Sequence, residues 1–508
     1  MSVRVPTFFL FLHDLRPRIA PLLTRGIPDL PAEVVGFLRI IYSAFLFVAL
    51  SDRRLRLDGR DEMSGWAPLD WLLQRPDVVA RLETTLLVLL VIFAVGLFTR
   101  LTYALLAAGL TIWIAVMLQG GTNIHAWEVA FLTVLCLIPV AWGAAFSVDE
   151  TLRRWRGVAS GPGVHGKAFG FAVWMPGFIL GTVWAGAAYT KVRVSGLDWI
   201  LGGAVKYHWV IDAPQAAVDW GLWVASHHWA AVVMSFFGIV LEGAFILAAF
   251  ASTTRARTLL ASLIGGSLVA GFYLFHGVLW WTWLLVLLIF AVPWQALFDG
   301  ISALIPERAY HVDPSHPDSR RRARLLYALD WFNKMTFVDA TTNVRVQLVA
   351  ASVRRSRPLG LTHACLAGAI CLLMVRELPE GFGRFTSYSN TYASTADFDA
   401  RGPIKPVDHL WIGYGTSSAV EVLEGSNDSQ LLAGAILRLR SRDPLRSGGP
   451  DALGEIQERL QREHGDTRVT LVRERDMFDW EGGRFLPPQR EVIGTLELSS
   501  MTFSAGAE

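Results

Sequence analysis

The sequence predicts an all-α polytopic membrane bundle of about 8–9 transmembrane helices, followed by a small C-terminal α+β soluble domain. Three observations carry that expectation. Of the 508 residues, 18% are charged and 53% hydrophobic, whereas a soluble domain carries about 25% charge. Apolar runs long enough to span a bilayer recur up to residue 300. Beyond residue 377 they give way to short alternating segments of the kind that form strands in water. The formal net charge of +2 says nothing of nucleic acid, and no nucleic-acid partner is expected.

Residues 1–32 contain TFFLFLHDLRPRIAPLLTRG. Its apolar run is too short for a signal peptide and no small-residue cleavage site follows. The mixture of apolar and basic residues suits an interfacial helix on the membrane surface or, equally, a packed entry helix. A spanning helix needs about 20 apolar residues. Runs of that kind lie at 33–51, 81–99, 101–119, 126–146, 168–190, 229–251, 257–275 and 277–298, which sets a transmembrane bundle over 33–300. The links at Thr99–Arg100 and Phe275–Gly277 are tight enough to force antiparallel neighbours.

Residues 301–360 are basic and amphipathic, and read as a cytoplasmic connector or a helix on an anionic leaflet. LTHACLAGAICLLMV supplies a final transmembrane helix within 361–376. Residues 377–508 read as an extracytoplasmic α+β domain. HLWIGY, AVEVLEG, RVTLVRER and REVIGTLEL are its strands, and ALGEIQERLQREHG its helix. The three cysteines, Cys136, Cys365 and Cys371, sit in apolar runs as small hydrophobes, with no CxxC spacing.

Orientation follows from Lys and Arg near the span ends. Sixteen basic residues near the span ends on the N-terminal side (Arg4, Arg16, Arg18 and Arg25; Arg100; Arg153, Arg154, Arg156 and Lys167; Arg255 and Arg257; Arg308, Arg345, Arg354, Arg355 and Arg357) outweigh eleven on the opposite side, although the 52–81 loop is itself basic. The N-terminus is therefore expected in the cytoplasm. An odd number of spans then puts the C-terminal domain outside.

Charge at membrane depth is expensive and marks a function or a wet cavity. Arg39 lies near a span end and is expected to snorkel. Glu242 sits mid-span in GIVLEGAFIL, as a site residue or as the partner of a buried basic group. By parity, the loops holding Asn123 and His125, Lys191 and His208, and His276 all fall on one side of the membrane. They are read either as one converging site or as ordinary surface residues. Lys191 follows GTVWAGAAYT, whose small residues favour close packing. A desolvated lysine loses its proton more readily and can act as a base; the plainer reading is an interfacial lysine reaching headgroups. Trp199, Tyr207 and Trp209 are expected to anchor this segment at the interface, and Gly196, Gly202 and Gly203 to let it turn.

In this order, GFLRIIYSAF, AVGLFTRLTYALL, TNIHAWEVAFLTVLCLIPV with FSVDE, YTKVRVSGLDWILGGAVKYHW and FYLFHGVLWWTWLLVLLIFAVPW resemble the vitamin K-dependent γ-carboxylase family and its wider bacterial relatives, the HTTM (horizontally transferred transmembrane) proteins, over about residues 33–300. The resemblance implies a vitamin K hydroquinone or menaquinol cofactor. Lys191 would be the base that deprotonates it, and His125 and His276 would stand beside the quinone. Asn123, Trp199, His208 and Glu242 are expected to complete the binding site, with no metal. The deprotonated hydroquinone would react with dioxygen to give a strong alkoxide base. That base would remove a glutamate γ-proton, and carbon dioxide would add to the carbanion. LLYALDWFNKMTFVDA is similar to the opening of the thiol–disulfide domain that some relatives carry, without its CxxC.

Two further readings stay open. One is a non-catalytic scaffold or lipid- and quinone-binding protein whose exported tail binds a protein or peptide. The other is a transporter or immunity-type protein, which the scarcity of mid-span charge and the lack of an inverted repeat disfavour. Membrane lipids are partners in every case.

Overall fold

The structure is a computed structural model. It describes residues 25–52, 74–119, 125–157, 164–213, 216–346 and the strands between 404 and 505 named below, together with residues 71, 72, 348, 363, 486 and 487. The expected interfacial helix, the loop with Asn123, the final transmembrane helix apart from His363, and the helix at 452–465 lie outside the described residues.

The chain is a multi-pass membrane protein. Among the described residues, six helical stretches are long and apolar enough to cross a membrane, Ala32–Ser51, Pro76–Val95, Thr99–Val116, Lys167–Arg193, His228–Phe250 and Thr254–His276. The pair Trp281–Ala291 and Trp294–Leu304, bent by 74°, makes a seventh if taken as one span. In chain order the helices begin with α1 (Ala32–Asp52), α2 (Pro76–Val95), α3 (Thr99–Gln119), α4 (His125–Cys136), α5 (Val148–Trp155) and α6 (Lys167–Ser195). After these come α7 (Asp198–Leu201), α8 (Val205–Asp212), α9 (Trp220–Ser226) and α10 (His228–Ala244), which runs into a 3₁₀ turn (Phe245–Phe250). The next stretch joins α11 (Thr254–Leu260) to α12 (Gly266–His276) through a π turn (Ala261–Gly265), followed by α13 (Trp281–Ala291) and α14 (Trp294–Leu304).

The second and fourth expected spans differ from the runs that predict them. The second runs 76–95 rather than 81–99. Pro76 presets its first turn, and Gly96 ends it in the left-handed region at φ +80°. The fourth, expected over 126–146, is helical only to Cys136. The chain beyond turns back on itself because Arg39 collects its carbonyls. Arg39 is fully buried and does not snorkel. Its Nη1 donates to Trp142 O at 2.7 Å and Ala145 O at 3.2 Å, its Nη2 to Phe146 O at 2.5 Å, and Nε and Nη2 to Ala94 O at 3.4 and 3.3 Å. One guanidinium therefore pins the 142–146 turn to the end of α2.

The SVDE motif lies next to it. The Ser147 hydroxyl caps α5 by accepting from the Glu150 N–H at 3.0 Å. The Asp149 carboxylate accepts from Phe98 N–H at 2.9 Å and from Thr99 N–H and Oγ1–H, both at 2.8 Å. These residues close the α2–α3 connection and start α5.

The central helix is α6, with 89% of its spanning window buried, against 22% for the Pro76–Val95 span. Its Gly177 lies flat against the Phe290 ring, where a Cβ would come within 2.1 Å, so α13 reaches the backbone of α6. Trp184 packs edge-on to Phe245 and Trp283. The break between α13 and α14 falls at Pro293, which cannot continue a helix.

Two short strands, β1 (Leu30–Pro31) and β2 (His165–Gly166), pair antiparallel just before α1 and α6. The 301–360 segment is more ordered than a connector. Strands β3 (Arg308–Val312) and β4 (Met335–Asp339) pair in parallel around α15 (Pro317–Leu329), making a βαβ unit. It docks on α5: Arg154 donates to Asp330 O at 2.8 Å and lies 4.4 Å from the Tyr327 ring centroid. The Asp330 carboxylate accepts from Lys334 and Met335 N–H at 2.9 and 2.7 Å. In the turn after β4, hydrogen bonds from Thr341 and Thr342 hold the Asp339 carboxyl down at about 2.

In the C-terminal region, β5 (Ile404–Tyr414), β6 (Glu421–Val422), β7 (Arg468–Asp479), β8 (Arg484–Phe485), β9 (Gln489–Glu497) and β10 (Thr502–Ala505) form an antiparallel sheet of order β10-β9-β7-β5-β6, with β8 on the end of β7. Ile404 faces Asp479 and Gly413 faces Thr470, and a bulge at Leu471/Val472 interrupts the β7–β9 register.

Candidate functional site

The end of α6 and the segment that follows it build two polar clusters. The first centres on Lys191. Its Nζ meets both oxygens of Glu242, at 2.6 and 2.7 Å. The pair is largely enclosed, with side-chain exposures of 15% and 6%. The Lys191 ammonium also lies 5.3 Å from the centroid of the Trp199 ring. Trp199 meets buried His208 edge-on at 5.7 Å. The Trp199 indole N–H is buried and has no hydrogen-bond partner among the described residues.

Small residues bring these groups together. Ala188 faces Gly243 where α6 and α10 pack. Gly196 and Gly203 take φ of +61° and +63°, so the chain leaves α6, makes the single turn of α7 and comes back along α10. A Cβ on Gly203 would lie 2.8 Å from that of Ala231, which leaves glycine as the residue that fits on both counts. Gly202 has φ of −73°, ordinary helical backbone, and is not one of the turning residues.

The second cluster holds His276. Its Nδ1 lies 2.6 Å from Asp212 Oδ2, and the Trp209 indole N–H donates to its Nε2 at 3.1 Å. An indole N–H only donates, so Nε2 is the acceptor nitrogen and Nδ1 carries the proton toward Asp212. The partners thus assign a neutral Nδ1–H imidazole. Trp209 stacks on Phe275 at 4.3 Å. This cluster joins α8 to the end of α12. A Trp209→Phe substitution keeps the stack and releases Nε2. Acylation of His276 by diethyl pyrocarbonate is then expected to speed up several-fold; an unchanged rate in the folded variant would show that the indole bond does not protect that nitrogen.

The expected convergence is partial. The segment around Trp209 and the end of α12 do meet. Lys191 pairs with Glu242 of α10 and not with His276. It lies two residues from the end of the Lys167–Arg193 span, and its ammonium is turned inward to Glu242. His125 opens α4, and Asn123 lies outside the described residues.

No family model, curated protein or solved structure matches this chain.

Two residues expected at the interface are instead inside. Trp199 and Trp209 are 3% and 5% exposed. Among the described residues the exposed indoles are Trp71, Trp220, Trp223, Trp229, Trp281 and Trp331; four of them, on α9 and at the starts of α10 and α13, suit an interfacial belt. The Asp212–His276–Trp209 arrangement escaped the sequence reading. The IDAP stretch carried no signal beyond a polar residue near the end of a short apolar run. Among the described residues, no group of three or more His, Cys, Asp or Glu could hold a metal ion.

Proposed function

We propose that this membrane protein is a quinol-dependent enzyme of carboxylase-like architecture, in which a hydroquinone binds within the bundle beside Lys191 and Glu242. One observation supports this above the others: an ammonium–carboxylate pair enclosed in an apolar helix bundle, with an unsatisfied indole N–H beside it. Such a pair is not a stabilising choice, since apolar residues of the same volume do as well or better. At membrane depth it marks a site.

The geometry changes the roles expected of the two residues. The Lys191 protons point at Glu242, so the carboxylate is the proton acceptor and Lys191 its counter-ion. Glu242 would take the proton of a bound hydroquinone's phenol, and the Lys191 ammonium would balance the negative charge left there. Trp199 would offer an aromatic wall and an N–H donor, and His208 would back it. A hydroquinone bound there would supply, with dioxygen, the strong base that the resemblance implies for carboxylation. In this reading the bundle has 8–9 spans with the N-terminus in the cytoplasm. The C-terminal domain lies outside, where a protein or peptide substrate would meet it.

A scaffold reading is favoured by a different observation: both oxygens of Glu242 and both ring nitrogens of His276 already have partners within the protein. The two separate in one assay. Purified protein is given menaquinol or phylloquinol, and epoxide formation is followed in wild type, Lys191→Ala and Glu242→Gln. Turnover in wild type that falls at least a hundredfold in both variants supports the enzyme. No turnover of either quinol by folded wild type overturns it and leaves the scaffold.

A further inference from the structure

Three buried arginines stand at the end of the bundle opposite His276, and they differ in how their protons are used. Arg39 gives all its fork to carbonyls. Arg154 gives one bond to Asp330 O and lies over Tyr327. Arg257 is 2% exposed, and its Nε and Nη2 have no hydrogen-bond partner among the described residues. Its guanidinium lies over the Phe290 ring, 5.7 Å from Cζ to centroid. The neighbouring hydroxyls are committed elsewhere: Thr253 caps Ala256 N–H, and Thr258 donates to Ala291 O at 2.6 Å.

A guanidinium does not shed its proton in a protein, so burial cannot be relieved by neutralisation. A buried cation without acceptors is among the most expensive arrangements known in proteins. Nε and Nη2 are the two donors that match an oxyanion side by side. Arg257 lies three residues inside the Thr254–His276 span, about 5 Å from its end at helical rise, which is headgroup depth. Exposed Arg255 adds positive charge on the same turn.

We propose that Arg257 holds a phosphate group between α11 and α13, using Nε and Nη2 as a two-point clamp. The phosphate comes from a lipid headgroup or from free phosphate, and two measurements on the full-length protein separate these. Native mass spectrometry of detergent-purified protein, taken through repeated delipidation, reads retained phospholipid. A thermal-unfolding series of delipidated protein, with inorganic phosphate against chloride at equal ionic strength, reads free phosphate.

A phospholipid retained by wild type and by Arg255→Gln, and lost at least tenfold in Arg257→Met, supports the site and names the lipid. A phosphate-specific rise in unfolding temperature, absent in Arg257→Met, supports the site and names free phosphate. Wild type that neither retains lipid nor responds to phosphate overturns it, whether or not Arg257→Met folds. The same retention and response in Arg257→Met also overturn it. Neither measurement depends on quinol turnover.

Discussion

Arg39→Met is expected to destabilise the bundle by about 4 kcal/mol or more, the largest single-residue effect in the chain outside the Lys191–Glu242 pair. The substitution keeps most of the apolar volume and removes the donors. Four carbonyls, those of Ala94, Trp142, Ala145 and Phe146, then lose a charged donor in a place water does not reach. Each buried acceptor left without a partner costs about 1–3 kcal/mol. The surroundings cannot close over the loss. Gly36 lies against Ala145 O, and Gly96 against Ser147 and the Arg39 guanidinium itself, both closer than a Cβ would allow. Arg39→Lys keeps the charge, but a lysine cannot reach two sides of the turn with one nitrogen. It should recover part of the stability. Unfolding in detergent by steric trapping reads both variants. An Arg39→Met protein within about 1 kcal/mol of wild type would show that the 142–146 turn holds without the guanidinium.

Arg39 also shows where the sequence was legible and where it was not. Apolar length alone located 33–51, 168–190, 229–251 and 257–275 to within a few residues, because a bilayer sets one minimum length for all of them. It failed at 126–146, since the residues there are apolar enough for a helix. What stops the helix is a side chain 103 to 107 positions earlier, and no local pattern carries that information. Pro293 was visible, but the 74° bend between the helices flanking it was not. The candidate site was legible in its residue types and not in its pairings. Lys191 and Glu242 were both singled out for being polar where polarity is expensive, yet their pairing needs the antiparallel packing of α6 on α10. The pairing of His276 with Asp212 and Trp209 likewise needs α8 to meet the end of α12. The anchoring tryptophans were assigned the wrong way round, because hydropathy does not distinguish an indole facing lipid from one facing a neighbouring helix.

Breaking the Lys191–Glu242 pair from either side should be severe, and removing both partners should be mild. Lys191→Met leaves a carboxylate that is 6% exposed without its cation. Glu242→Leu leaves the ammonium inside the bundle. Each is expected to cost about 3–5 kcal/mol. In the double variant no charge is left to desolvate, and two apolar side chains of similar length fill the space. Its stability should come back to within about 1 kcal/mol of wild type or exceed it, a coupling of several kcal/mol between residues in direct contact. That recovery separates two roles a single substitution confuses. If the pair serves chemistry, the double variant folds as well as wild type and turns over no quinol. A double variant that is stable and keeps the wild-type rate would make the pair a staple between α6 and α10, and the proton would have to go elsewhere. Double and single variants equally unstable would mean that the pair is worth more to the fold than apolar packing can replace. Its survival in the interior would then need no functional reason.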